Sequence, residues 1–141
     1  EVKAEMGYEE LLKKDYKHWA VYLNKNQYYL GRVYIWAKRE NAIDFMDMTS
    51  EEQKEFFKVG RAVKKALKKL FNPDLFNWVS QGNVATHLHI HLIPRYASLR
   101  KFEGMEFNDE RWGKNYAPYN YDFEISREAL TKIRDAIKKE L

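Results

Sequence analysis

The sequence predicts an α+β domain in which an antiparallel sheet carries a long helix and a C-terminal helix. Three observations predict it. β-favouring runs are separated by polar turns. One long stretch with helical spacing opens on a capping signature, and a second such stretch closes the chain. Strands joined by hairpins, with helices gathered on one side, make an α+β arrangement. No repeat or low-complexity tract divides the 141 residues, so one domain, 1–141, is expected.

Tyr8 to Lys14 reads as a short leading helix. Trp19 to Leu23 is rich in strand formers. The polar turn Asn24-Lys25-Asn26-Gln27 leads into a second strand, Tyr28 to Ala37, interrupted by Gly31. Together they read as an antiparallel hairpin. Thr49 followed by Glu52 is a capping box, and a helix runs from it to about Phe71. Phe56, Val59, Val63, Leu67 and Leu70 repeat at three and four and form its buried stripe. Asn72-Pro73 stops it. Leu75 to Gln81 is a third strand, Gly82 to Thr86 a short link, and His87 to Ile93 a fourth strand ended by Pro94. Ser98 to Phe123 is irregular, and loops of that length are functional or disordered. A final helix from Ser126 buries Leu130, Ile133, Ile137 and Leu141.

Composition narrows the function classes. With 45% hydrophobic and 33% charged residues, the chain can bury a core and is not a disordered polymer. No apolar run has the length of a membrane span, and Glu1 to Glu10 lacks a signal peptide's apolar stretch. The absence of cysteine excludes disulfides, thiolate metal sites and a cysteine nucleophile, and fits a cytoplasmic protein. The net charge of +4 concentrates on Lys64, Lys65, Lys68 and Lys69 and on Lys138 and Lys139. These are solvated helix faces or a field that draws in small polyanions. No arginine-rich run points to nucleic acid.

The run His87-Leu88-His89-Ile90-His91-Leu92-Ile93 alternates polar and apolar residues. On a strand, alternate residues share a face. The imidazoles therefore form a ladder on one side while Leu88, Ile90 and Leu92 face the core. The stripe holds three of the four histidines in the chain, which generic packing explains poorly. A His-x-His pair can ligate zinc, but no nearby Asp, Glu or Cys completes a site and His18 is distant in sequence. Phosphoryl chemistry fits better: a neutral imidazole attacks phosphorus, and its neighbours hold the tautomer, stabilise oxygens and assist the leaving group. No metal or other cofactor is expected.

This string resembles the His-φ-His-φ-His-φ-φ signature of the histidine-triad (HIT) nucleotide-binding superfamily, φ being apolar. Ile93-Pro94-Arg95 is a common continuation. The segment from Asn77 to Asn83 resembles the Asn…Gly-Asn segment of the family's small prokaryotic hydrolase-like members. Arg111 to Tyr119 resembles their aromatic tail more loosely. Tyr29 to Ile35 and the helix from Thr49 also fall where the family places its sheet and helix. The short segment before the triad is closest to the dinucleoside-polyphosphate hydrolase-like group.

The resemblance implies a HIT-like sheet and names roles. His89, the middle histidine, would be the nucleophile at a nucleotide's α-phosphate, forming a nucleotidyl-histidine that water then cleaves. His91 would contact the phosphate and help the leaving group, and His87 would support. Asn83 and Asn77 match polar positions near the phosphate, although a turn residue and an ordinary strand residue explain them as well. Asn24 matches a ribose-binding position, with a turn asparagine as the other account. Arg32 stands where many relatives carry a further histidine. It cannot share a proton as histidine does, but it can pair with phosphate as a permanent cation. Diadenosine polyphosphates or nucleoside phosphoramidates are the implied substrates, and a homodimer sharing a continuous sheet is the implied assembly. A nucleotide-binding sensor with little turnover is the alternative.

Overall fold

The computed structural model describes residues 11–141. Strands β1 (Leu12–Asp15), β2 (Trp19–Leu23), β3 (Val33–Ala37), β4 (Leu75–Val79) and β5 (His89–Arg95) form one sheet, ordered β1-β2-β3-β5-β4. Every neighbouring pair is antiparallel. Helix α1 (Ser50–Phe71) joins β3 to β4 across the sheet, and helix α2 (Arg127–Glu140) packs against α1 and β1. The expected α+β sheet with two helices is present.

Helix α1 begins where its capping box predicts. The Thr49 hydroxyl accepts the Glu52 N–H at 3.1 Å, and the Glu52 carboxylate accepts the Thr49 N–H at 2.8 Å. It ends on Asn72 in the left-handed conformation. Its buried stripe is Phe56, Val59, Val63, Leu67 and Phe71, with Leu70 only half-buried. The stripe rests on the sheet face that carries Val21, Leu23, Val33, Ile35, Ile90 and Leu92, and these residues form a single core. Trp78, opposite Leu92 in the register, shares this face and lies against Gly60 of α1. Helix α2 is capped by Ser126 and adds Leu130, Ile133 and Ile137 to the core.

The structure corrects several boundaries. Leu12–Asp15 is an edge strand rather than part of a leading helix, because β2 offers it an antiparallel partner; residues 8–10 of that expected helix lie outside the described residues. The second strand starts at Val33, not Tyr28. The buried Gln27 side chain donates to the carbonyls of Asn24 and Arg32 and accepts the Gly31 N–H, which folds 24–32 into a closed loop. Gly31 takes φ +87 there. The third strand stops at Val79 rather than Gln81.

The histidine strand is shifted along the chain. It begins at His89 and runs through Pro94 to Arg95. A proline inside a central strand costs nothing here. Leu88 bonds towards β3 and Arg95 towards β4, so by strand alternation the nitrogen of Pro94 faces β3. The last β3 partner is Val33 opposite Leu92, so β3 has already ended. Ser98 to Phe123 is not wholly irregular either. It contains a small hairpin, β6 (Arg100–Phe102) and β7 (Met105–Phe107), turned through Glu103 and Gly104 at positive φ.

Candidate active site

Opposed residues of a sheet share a face, so the register assembles the site. Trp36 stands opposite His89, and both Tyr34 and Val79 stand opposite His91, all on the face turned away from α1. His87 lies just before the strand and closes the row by stacking on Trp36, with centroids 4.4 Å apart and planes at 18°. The rings of His89 and His91 are 5.0 Å apart. Leu88, Ile90 and Leu92 are buried on the other side, as the alternation requires.

Each histidine is oriented by one hydrogen bond. His87 Nε2 is 2.6 Å from the Ala37 carbonyl. His89 Nδ1 is 2.7 Å from the carbonyl of His87. A carbonyl only accepts, so Nδ1 carries the proton and Nε2 of the neutral ring keeps its lone pair. His91 is the reverse case. Its Nδ1 is 3.3 Å from Nη2 of Arg32, which only donates, so a neutral His91 that accepts there carries its N–H at Nε2. Burial, then the Arg32 charge, then His89 push the His91 pKa down to about 3. A lone-pair nitrogen and an N–H donor therefore stand side by side on one rigid strand. That pairing suits attack on a phosphorus centre with a hydrogen bond to one of its oxygens.

The other expected site residues are less uniformly gathered. Arg32 is buried against His91 and gives its other terminal nitrogen to the Tyr119 hydroxyl at 2.7 Å. Asn77 lies on the histidine face, but its carbonyl oxygen accepts from Arg95 at 3.0 Å. Asn83 is exposed in the link before the triad. Asn24 follows β2, where its side chain accepts the Asn26 N–H, and it lines a surface pocket with Lys25, Asn26 and Tyr121 to Ile125. His18 is partly exposed at the start of β2, its backbone N–H bonded to Glu55.

Sequence reasoning missed the aromatic floor, Tyr34 and Trp36, and the anchor of the long loop. Period-two alternation in Val33–Ala37 sets these two aromatics on one face, but only the register reveals that the histidines share it. The anchor is Arg95 at the far end of β5. Its guanidinium forms a buried pair with Asp109, 2.7 and 3.2 Å, and donates to Asn77 and to the carbonyls of Arg111 and Lys114. Tyr29 adds a bond to the carbonyl of Tyr116 and lies under the Arg95 charge. The loop is thereby drawn over Arg32, whose guanidinium faces the rings of Tyr116 and Tyr119 at 5.5 and 5.2 Å.

Comparison with known proteins places the fold and the family. Bis(5'-adenosyl)-triphosphatases of Saccharomyces cerevisiae strains YJM789 and RM11-1a are 31% identical over 71 residues, which are 47% of this chain and 34% of theirs. The chain thus spans about a third of the length of these curated relatives. Among solved structures, a histidine triad (HIT) protein of Sinorhizobium meliloti 1021 superposes with TM-score 0.78 at 16% identity, covering 93% of this chain and 89% of that one. A histidine triad protein of Bradyrhizobium japonicum gives 0.76 at 17%, covering 99% and 98%. The NitFhit protein of C. elegans gives 0.67 at 21%, covering 94% of this chain and 27% of its own. The model of the HIT domain matches residues 14–98, which takes in all five strands of the sheet but the first two residues of β1, together with α1 and the three histidines, and the chain therefore belongs to the HIT family.

Proposed function

We propose that the chain is a nucleotide hydrolase or nucleotidyl transferase acting at an α-phosphate through a covalent nucleotidyl-histidine. The observation that carries the reading is the bond from His89 Nδ1 to the His87 carbonyl, which leaves Nε2 as the nucleophile. Nε2 attacks the α-phosphorus, the Pα–Nε2 bond forms, and the bond to the leaving group breaks: in a polyphosphate the Pα–O pair leaves on that oxygen, and in a phosphoramidate the Pα–N pair leaves on a nitrogen that takes its proton from water. The adduct carries a positive charge, spread over a ring whose Nδ1–H stays on the His87 carbonyl. Water then attacks phosphorus, the pair returns to Nε2, the water proton passes to solvent, and a nucleoside monophosphate departs. His91 Nε2–H holds a phosphate oxygen throughout, and His87 fixes the carbonyl that orients His89. Asn77, Asn83 and Asn24 are assigned to the nucleotide, with no metal or cofactor in the cycle.

Diadenosine polyphosphates and nucleoside phosphoramidates are the substrate classes. The triphosphatase relatives support the first of these. A second copy of the chain is the proposed partner, supported by the outer edge of β4, which ends the sheet and leaves Leu75 and Trp78 partly exposed. The alternative, a nucleotide-binding sensor with little turnover, draws on Arg32, which makes the back of the site a fixed cation.

The deciding assay offers diadenosine tetraphosphate and an adenosine phosphoramidate to wild type and to His89→Ala, with and without a chelator. Chelator-resistant release of AMP by wild type, lost at least ~10³-fold in the variant while AMP binding survives, is the expected result. Full activity of His89→Ala would sink the mechanism. Binding of AMP by wild type without product from either substrate would favour the sensor.

A further inference from the structure

Arg32 is 4% exposed, and no ion pair to it is present among the described residues. Its Nε has no partner, and its terminal nitrogens serve the Tyr119 hydroxyl and His91 Nδ1. A buried guanidinium without a carboxylate is costly. A neutral side chain of the same shape would fill the space beneath Tyr116 and Tyr119 without that cost. Besides the Tyr119 hydroxyl and the rings of Tyr116 and Tyr119, the charge faces one titratable group, the His91 imidazole nitrogen.

We propose that Arg32 is a positioning residue that acts through His91. It holds His91 as the neutral Nε2–H tautomer, so that His91 supplies a hydrogen bond to a substrate phosphate oxygen and does not supply the leaving group's proton. The geometry permits little else. Arg32 has no lone pair to accept a bond from His91, and a proton placed on His91 Nδ1 would point at a cation. Three elements besides the Arg32 loop face the pair. β5 contributes His89, β3 contributes Tyr34, and the long loop contributes Tyr116 and Tyr119. The depressed basicity of His91 is in keeping with this arrangement. The catalytic consequence rests on the nucleotidyl-transfer reading; the tautomer does not.

The test is long-range nitrogen NMR of the histidines across pH, with steady-state kinetics, on wild type, Arg32→Met and Arg32→Lys. In wild type, His91 should be a single Nε2–H tautomer that stays neutral where free histidine protonates. In Arg32→Met it should mix tautomers and protonate at a higher pH than in wild type, with burial still holding it below the ordinary histidine range. There kcat should fall about tenfold to a hundredfold, the loss of one hydrogen bond to a charged group, with KM within about threefold and a new acid limb in the rate profile. Arg32→Lys should recover most of the wild-type tautomer. A wild-type His91 protonated on Nδ1 overturns the proposal, whether or not Arg32→Met folds. An Arg32→Met protein with unchanged tautomer and kcat overturns it as well. If wild type turns over no nucleotide, the nucleotidyl reading fails while the spectra still decide the role of Arg32.

Discussion

Asp109→Ala removes one half of the buried pair that ties the long loop to the histidine strand. The Asp109 carboxylate accepts from Arg95 Nε at 2.7 Å, Arg95 Nη2 at 3.2 Å, Tyr96 N at 3.1 Å and Arg111 N at 2.9 Å. The side chains are 4% and 1% exposed, so water cannot replace the lost acceptor without local opening. Two donors left behind belong to a buried cation. Breaking such a pair from one side costs about 3–5 kcal/mol, a large share of the ~5–15 kcal/mol that stabilises a domain. In urea, with a slope of about 1–3 kcal/mol per molar, the unfolding midpoint should fall by roughly 1–5 M. Asp109→Asn keeps one acceptor oxygen and should lose less. The alanine variant should also lower activity, because Tyr116 and Tyr119 reach Arg32 through this loop. A midpoint shift worth under ~1 kcal/mol would refute the argument, since the pair would then be contributing no more than an exposed one.

Two further outcomes are expected. The folded state keeps His91 neutral down to about pH 3, whereas in the unfolded chain it protonates near 6.5. The unfolded state thus binds the extra proton in this window, and stability falls as pH drops through it, by at most ~1.4 kcal/mol per pH unit; denaturation of wild type and His91→Gln from pH 7 to 4 should show the shallower slope in the variant, and equal slopes would contradict it. Gly31→Ala should cost about 1–3 kcal/mol and lower Tm by several degrees, because φ is +87 and a Cβ would lie 3.0 Å from both Leu67 Cδ2 and Phe71 Cδ2.

What could be read from sequence was what local periodicity encodes. The Thr49 capping box, the α1 stripe and the alternation through His89 and His91 each depend on neighbours a few residues apart. The elements misread depend on partners in other elements, near or far along the chain. Leu12–Asp15 is a strand because β2 lies beside it. Pro94 is tolerated because β3 ends before reaching it. Arg95 meets Asp109 across 14 residues, and Arg32 meets His91 across 59. No spacing rule in a single chain announces such contacts. The triad itself was legible, but which nitrogen of each ring holds the proton was not, because the Ala37 carbonyl, the His87 carbonyl and Arg32 decide that in space.

β5 carries His89 and His91 at one end and the loop anchor Arg95 at the other, on a strand flanked on both sides. Its seven residues therefore tolerate no change in length. One inserted residue would turn the imidazoles downstream of it into the helix-side core, or, placed beyond them, swing Arg95 away from Asp109. The exposed link just upstream, around Asn83 to Thr86, is under no such constraint from the sheet. In a lineage of such proteins, insertions and deletions should thus collect immediately before the triad and vanish within it, so that the gap pattern of an alignment would record the mechanical role of the strand as clearly as its histidines record the chemistry.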